Sequence, residues 1–198
     1  MKEKINIGEI IKVAIILFAI TAISAALLGF VNSQTAPLIA ENNIKKEQTA
    51  LEAVLPGCEF EEIKDISQYE ALTDGKGEIS KVYKATSGGS LKGACVITVT
   101  SGYDVGIQTV TGVDKDLKVT GVEIIKMKET PGLGANANKP EFKEQYKGRT
   151  YEVGVSKNGA TDTEIQAISG ATKTSRGVTN GVNIALKVAE KIVKGGVK

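Results

Sequence analysis

Ser169-Gly170-Ala171-Thr172-Lys173-Thr174-Ser175-Arg176-Gly177 is the stretch from which the fold can be read. Before it, Glu164-Ile165-Gln166-Ala167-Ile168 is short and β-compatible. After it, Val178, Val182, Ala185, Leu186, Ala189, Ile192 and Val193 recur at helical spacing, which predicts a C-terminal helix over residues 175–194. Thr172 is therefore expected in a strand-to-helix loop. Ser169, Thr172, Thr174 and Ser175 crowd their hydroxyls beside Gly170, at the mouth of a helix whose free N–H groups and dipole favour an anion. On spacing alone two readings stand: a phosphate site, or a helix end capped by Ser and Thr.

Composition narrows the chemistry. The 198 residues carry 25 basic and 23 acidic side chains, a net charge of +2. No basic footprint for nucleic acid appears, and with no Trp and 5% aromatic residues there is little on which bases could stack. There is no His, which removes Ser-His and Cys-His nucleophiles, imidazole bases and His metal ligands together. Cys58 and Cys95 are too far apart for a CxxC pair or a zinc or iron–sulfur set; they are a disulfide or two thiols, and Cys95 reads as a buried thiol in an apolar strand. Any redox role would thus need a bound organic cofactor.

The mean hydropathy of −0.04 is high for a chain with 24% charged residues, so the apolar residues must be concentrated somewhere. They are concentrated at the N-terminus. Val13 to Val31 carries no charge and is long enough to cross a hydrocarbon core about 30 Å thick; it exceeds a typical signal-peptide core, and no clear Ala-x-Ala follows it. Lys2, Lys4 and Lys12 precede the run and Asn32 to Thr35 are uncharged, which predicts a cytoplasmic N-terminus with the rest of the chain outside. Residues 1–35 are read as tip and transmembrane helix, 36–57 as a juxtamembrane helix stopped by Pro56-Gly57, and 58–198 as the globular domain.

Within the domain, Ile79 to Ala85 and Ala94 to Val99 read as strands. Ile107 to Val113 and Lys118 to Met127 read as a hairpin about Asp114-Lys115-Asp116. Pro140 to Lys147 reads as a short amphipathic helix and Tyr151 to Val155 as a strand returning to the sheet. The fold class is α+β, a mostly antiparallel sheet with packed helices. In Glu129-Thr130-Pro131-Gly132-Leu133-Gly134 the proline stiffens the chain while Gly132 and Gly134 permit positive φ or close approach to a flat ligand.

Ser169-Gly170-Ala171-Thr172 before a C-terminal helix resembles the flavinylation motif of the FMN-binding domain family shared by the G subunit of the Rnf complex and the C subunit of the sodium-pumping NADH:quinone reductase. Glu129 to Gly134 resembles that family's second signature, and Gly102-Tyr103 with Gly106 resembles its glycine-containing loop. Ala53 to Gly57 resembles the entry segment of the G subunits. Gln166 stands where the family often has an acidic residue, and Met127 where it often has His.

The resemblance implies covalent FMN on Thr172 through a phosphoester installed by a flavin transferase. Ser169, Gly170, Ala171, Thr174 and Ser175 would form the phosphate cradle, and Glu129, Thr130, Leu133 and Gly134 the loop on the isoalloxazine. It implies an electron-transfer role in a membrane-bound ion-translocating ferredoxin:NAD⁺ oxidoreductase (Rnf complex). The partners would be other Rnf subunits: the flavin-carrying D subunit in the membrane, the iron–sulfur-carrying A and E subunits in the membrane, and the B and C subunits. The alternatives are the quinone reductase C subunit, a stand-alone flavin carrier for extracellular electron transfer, and a flavin-free anchored binding module.

Overall fold

A computed structural model describes residues 7–195, in two compact units that divide between Lys45 and Lys46. The helix α1 (Ile7–Val54) runs unbroken through both expected helical segments, with Pro37 inside it. Over residues 13–31 the helix is apolar on every side and its large side chains, Ile16, Phe18, Leu28 and Phe30 among them, are exposed. Its most apolar 18-residue window has a mean hydropathy of 2.6 and none of it is buried, the pattern of a helix whose solvent is lipid. Thr21 fits there because its Oγ1 donates back to the Leu17 carbonyl at 3.0 Å, leaving no hydroxyl facing hydrocarbon unsatisfied. The helix ends at the expected stop, where the Gly57 amide donates to Glu52 Oε1 at 2.9 Å.

The second unit is built on five antiparallel strands: β1 (Glu59–Glu62), β2 (Glu78–Ser87), β3 (Ser90–Ser101), β4 (Val105–Asp114) and β5 (Val119–Lys126), in spatial order 1-2-3-4-5. The strands expected at 79–85, 94–99 and 107–113 are found, each somewhat longer, and that expected at 118–127 is found slightly shorter. Alternation divides β3 between two cores. Ala94 and Val96 face the helix α3 (Thr172–Gly195), while Cys95 and Ile97 pack with Ala50, Leu51 and Val54 at the end of α1. Cys58 and Cys95 are both free thiols. Glu47 anchors the α1 side, accepting from Lys81 Nζ at 2.8 Å and from the Tyr83 hydroxyl.

Against the other face, α3 buries Val178, Val182, Ala185, Leu186, Ala189 and Ile192. Its close approach depends on glycine: a Cβ at Gly177 would lie 2.6 Å from the Ser101 carbonyl oxygen. The helix begins at Thr172, not after it, so Thr172 is a first-turn residue and not a loop residue. The reason is that Ala171 already serves as the boundary residue, its carbonyl accepting the Ser175 amide at 3.0 Å.

Two other expectations are corrected. The chain after Tyr151 does not return to the main sheet. The Val153 amide and carbonyl are both taken by the Asn183 side chain of α3, each at 2.9 Å, and the strand β6 (Gly154–Ser156) pairs in parallel with β7 (Glu164–Gln166) as a separate ribbon. The segment 140–147 is one α-helical turn, α2 (Pro140–Lys143), followed by a 3-10 turn at Glu144–Tyr146. Phe142 and Tyr146 are buried edge to face with ring centroids 5.6 Å apart.

Candidate functional site

A cavity of about 890 Å³ lies where α3 starts. It falls within the size range of small-molecule and cofactor clefts, roughly 300–1,000 Å³. Four segments distant in sequence form it, Lys157 being the sole contribution of one of them. The Ile168–Thr174 turn is one wall, the Glu129–Gly134 loop faces it, and Tyr103, at the turn between β3 and β4, forms the rim.

Local bonding explains the first wall. The Ala171 amide closes a turn onto the Ile168 carbonyl at 2.9 Å, which requires Gly170 to take φ +74°, a conformation costly to any side chain. Ser175 lies beneath this turn, fully buried; its Oγ accepts the Ile168 amide at 3.0 Å and donates to the Ala171 carbonyl at 3.1 Å. It is the one expected site residue that does not line the cleft. Its hydroxyl is committed to holding the turn, so it is not free to cradle a ligand. Thr172 is half-buried, lines the cleft, and makes no side-chain hydrogen bond among the described residues. The amides of Thr172, Lys173 and Thr174 precede the first carbonyl available within the helix and remain as donors at its positive end.

Glu129 was expected to touch the cofactor. It lines the cleft and also ties the walls together. Oε1 accepts the Tyr103 and Asp104 amides at 3.0 and 3.3 Å, and Oε2 accepts the buried Thr174 hydroxyl at 2.9 Å. Gly102 and Gly134 make room for this carboxylate: a Cβ on either would come within 2.4 Å of one of its oxygens. The glycine at 134 thus makes room for Glu129 while lining the cleft. Thr174 likewise spends its hydroxyl on Glu129, although it still lines the cleft.

Thr130 begins the second loop, its carbonyl accepting the Leu133 and Ala135 amides at 3.1 and 3.2 Å, and Gly132 turns at φ +79°. This leaves Leu133 45% exposed over the cleft, near enough to Gly170 that a Cβ there would lie 3.1 Å from Leu133 Cδ2. The two loops therefore meet. Tyr103 stands 80% exposed at the rim, with Lys173 Nζ 5.7 Å from its ring centroid. Ser169 is exposed at the tip of the turn.

The cleft also contains residues that the sequence pattern did not single out as site residues: Tyr103, Lys157, Gln166, Ala167, Ile168 and Lys173. Tyr103 had a signal in its Gly-Tyr pair. Lys157 had none, because it arrives only through the parallel pairing of β6 with β7.

These residues suit a phosphorylated flat ligand. An unengaged hydroxyl and free helix amides stand at one end, two lysines line the cleft, and Leu133 and Tyr103 offer apolar surface beside them.

Comparison with known proteins agrees with this arrangement. The family model of the FMN-binding domain matches residues 102–187, a span that holds every lining residue of the cleft, and that of the RnfG N-terminal region matches residues 1–54. The G subunit of the Na(+)-translocating ferredoxin:NAD(+) oxidoreductase complex of Acetobacterium woodii is 37% identical, over 98% of this chain and 99% of its own. The G subunit of the ion-translocating oxidoreductase complex of Methanosarcina acetivorans is 30% identical, over 90% and 93%. Among solved structures, Shewanella oneidensis NqrC matches with a TM-score of 0.50 at 22% identity, over 59% of this chain and 61% of that one, which establishes the shared α+β fold. By sequence along nearly its whole length, by its FMN-binding domain and by its N-terminal region, the chain belongs to the G-subunit family of the ion-translocating ferredoxin:NAD(+) oxidoreductase (Rnf) complexes.

Proposed function

We propose that this chain is the membrane-anchored electron-transfer subunit of an ion-translocating ferredoxin:NAD⁺ oxidoreductase, carrying FMN as a phosphoester on Thr172. The observation that carries the reading is the placement of Thr172. Its hydroxyl is unengaged among the described residues, on the first turn of α3, in a cleft between two loops that match the family's signatures. Bound there, FMN supplies the relay of electrons that the polypeptide's own side chains cannot. Thr172 holds the phosphate covalently, and the amides of Thr172 to Thr174 with Lys173 stabilise its charge. Leu133 and Tyr103 give apolar contact to the ring system, while Glu129 keeps both of their loops in place.

A separate flavin transferase installs the group, and electrons pass to and from the other members of the complex, the D, A, E, B and C subunits. Translocation of the ion belongs to the assembled complex. Lys2, Lys4 and Lys12, which precede the apolar run, support a cytoplasmic N-terminus with the flavin domain outside. Protease added to intact spheroplasts checks this side: it should digest the domain, and full protection would reverse the orientation.

Peptide mass spectrometry after co-expression with a flavin transferase tests the attachment. An FMN adduct on the peptide containing Thr172, lost in Thr172→Val while the protein remains folded and in the membrane, is the expected result. An adduct localised to Thr174 or Ser175, or none at all, refutes it.

A further inference from the structure

Outside α1, the large exposed apolar side chains among the described residues are Tyr103, Val105, Leu133 and Tyr151, at 80%, 72%, 45% and 48% exposure. The first three lie around the mouth of the cleft. Tyr103 and Leu133 line it, and Val105 lines a second hollow of about 280 Å³ on the other side of the same β3–β4 turn. Such a gathering at one spot marks a contact surface, whereas scattered single residues would not.

The charges around it are mostly basic. Lys157 and Lys173 line the cleft, and Lys126 and Lys128 line the second hollow; all four are exposed. None is ion-paired among the described residues, although Lys81, Lys143 and Lys187 elsewhere pair with Glu47, Glu123 and Asp74. Two carboxylates line the same hollows, Glu129 in the first and Asp104 in the second, so four lysines against two carboxylates leave an excess of two positive charges. Glu129 is turned onto the Tyr103 and Asp104 amides and Thr174, and Asp104 accepts the Val105 amide at 2.8 Å.

We infer that this rim is the docking face for a redox partner protein that presents an apolar spot ringed by carboxylates. The inference rests on the reading of the cleft as the flavin site, since a partner seated there is brought to the cofactor's edge. An apolar centre supplies contact area while unpaired lysines steer an acidic partner and set its orientation. The lysines flank hollows and not a convex apex, a shape that receives a protein protrusion and not the plane of a lipid headgroup layer.

The test uses the full chain assembled in its complex in native membranes. Zero-length carbodiimide coupling followed by peptide mass spectrometry should join Lys126 and Lys128 to Asp or Glu of another protein of the complex, in clearly higher yield than the exposed Lys64 and Lys92. Lys126→Glu with Lys128→Glu should abolish that coupling. It should also slow flavin reduction on addition of NADH by about tenfold at low ionic strength, a gap that closes as salt screens the rim.

Coupling no greater than at Lys64 and Lys92, or an unchanged rate in the double variant, overturns the inference. So does a double variant that releases phosphatidylglycerol vesicles yet keeps its rate, which assigns the lysines to lipid. In-gel flavin fluorescence separates the two readings: a chain without flavin whose Lys126 and Lys128 still couple sinks the cofactor assignment and leaves the docking face standing.

Discussion

Replacing Glu129 with Ala should loosen the cleft more than its partial exposure suggests. The carboxylate accepts three hydrogen bonds, two from the amides of an exposed turn and one from a hydroxyl on a residue only 1% exposed. Water can replace it at the two amides, so each should contribute about 0.5–1 kcal/mol. It cannot reach Thr174 Oγ1, and stranding that hydroxyl costs roughly 1–3 kcal/mol. The sum is about 2–5 kcal/mol, which at roughly 3 °C per kcal/mol for a domain of this size lowers the melting temperature by about 6–15 °C. Glu129→Gln keeps an oxygen for the two amides and turns its NH₂ toward Thr174, whose hydroxyl can accept as well as donate, so it should lose less than about 1 kcal/mol. Thermal unfolding of the detergent-solubilised full chain measures both. Chymotrypsin cleavage after Tyr103 gives a local reading and should quicken in the Ala variant, and a double-mutant cycle with Thr174→Val isolates the hydroxyl's share. An Ala variant within about 0.5 kcal/mol of wild type, or a Gln variant as unstable as Ala, would refute the reasoning.

Two further outcomes follow from buried groups. Thr109 is fully buried in β4 and its hydroxyl has no protein partner among the described residues, so the isosteric Thr109→Val should stabilise the domain by about 1 kcal/mol in urea melts; a loss of stability would mean that the hydroxyl is bonded to water. Burial pushes the Cys95 thiol and the Tyr83 and Tyr146 phenols up, with the Glu47 carboxylate adding to the rise at Tyr83. Their folded-state values lie above the unfolded ones. The stability they supply is therefore intact below the unfolded values and drains away above about pH 9, by up to roughly 1.4 kcal/mol per pH unit and group. The urea midpoint should fall steadily from about pH 8 to pH 10.5, and a flat or rising midpoint would contradict this.

What could be read in advance was what repeats locally. β3 announces itself by a short apolar run and β4 by its place in a hairpin, α3 by a helical stripe, and the two cleft loops by glycine and proline at positions where the backbone turns. The start of α3 was misplaced because a cluster of Ser and Thr reads as a cap. The actual boundary is made by main-chain bonds at Ala171, with Ser175 reaching back to Ile168. β1 went unread because Glu59, Glu61 and Glu62 have no strand propensity of their own; it exists through pairing with β2. The β6–β7 ribbon is three residues deep, and its course is set by Asn183, thirty positions on from Val153, a contact with no trace in local pattern.

The same long-range logic explains why the cleft lies where it does. Gly177 lets α3 approach until its backbone meets the Ser101 carbonyl, at the end of β3, and that contact sets the first turn of the helix beside the β3–β4 turn. The Thr172 hydroxyl is thereby brought near Tyr103 by core packing, before any ligand contributes. Glu129, just past β5, then accepts from the Tyr103 amide and the Thr174 hydroxyl and so fixes the spacing of the β3–β4 turn and the first turn of α3. The site is a consequence of how closely one helix sits on one sheet. A Cβ at position 177, remote in character from any flavin chemistry, must push that helix off Ser101 and open the cleft at its base.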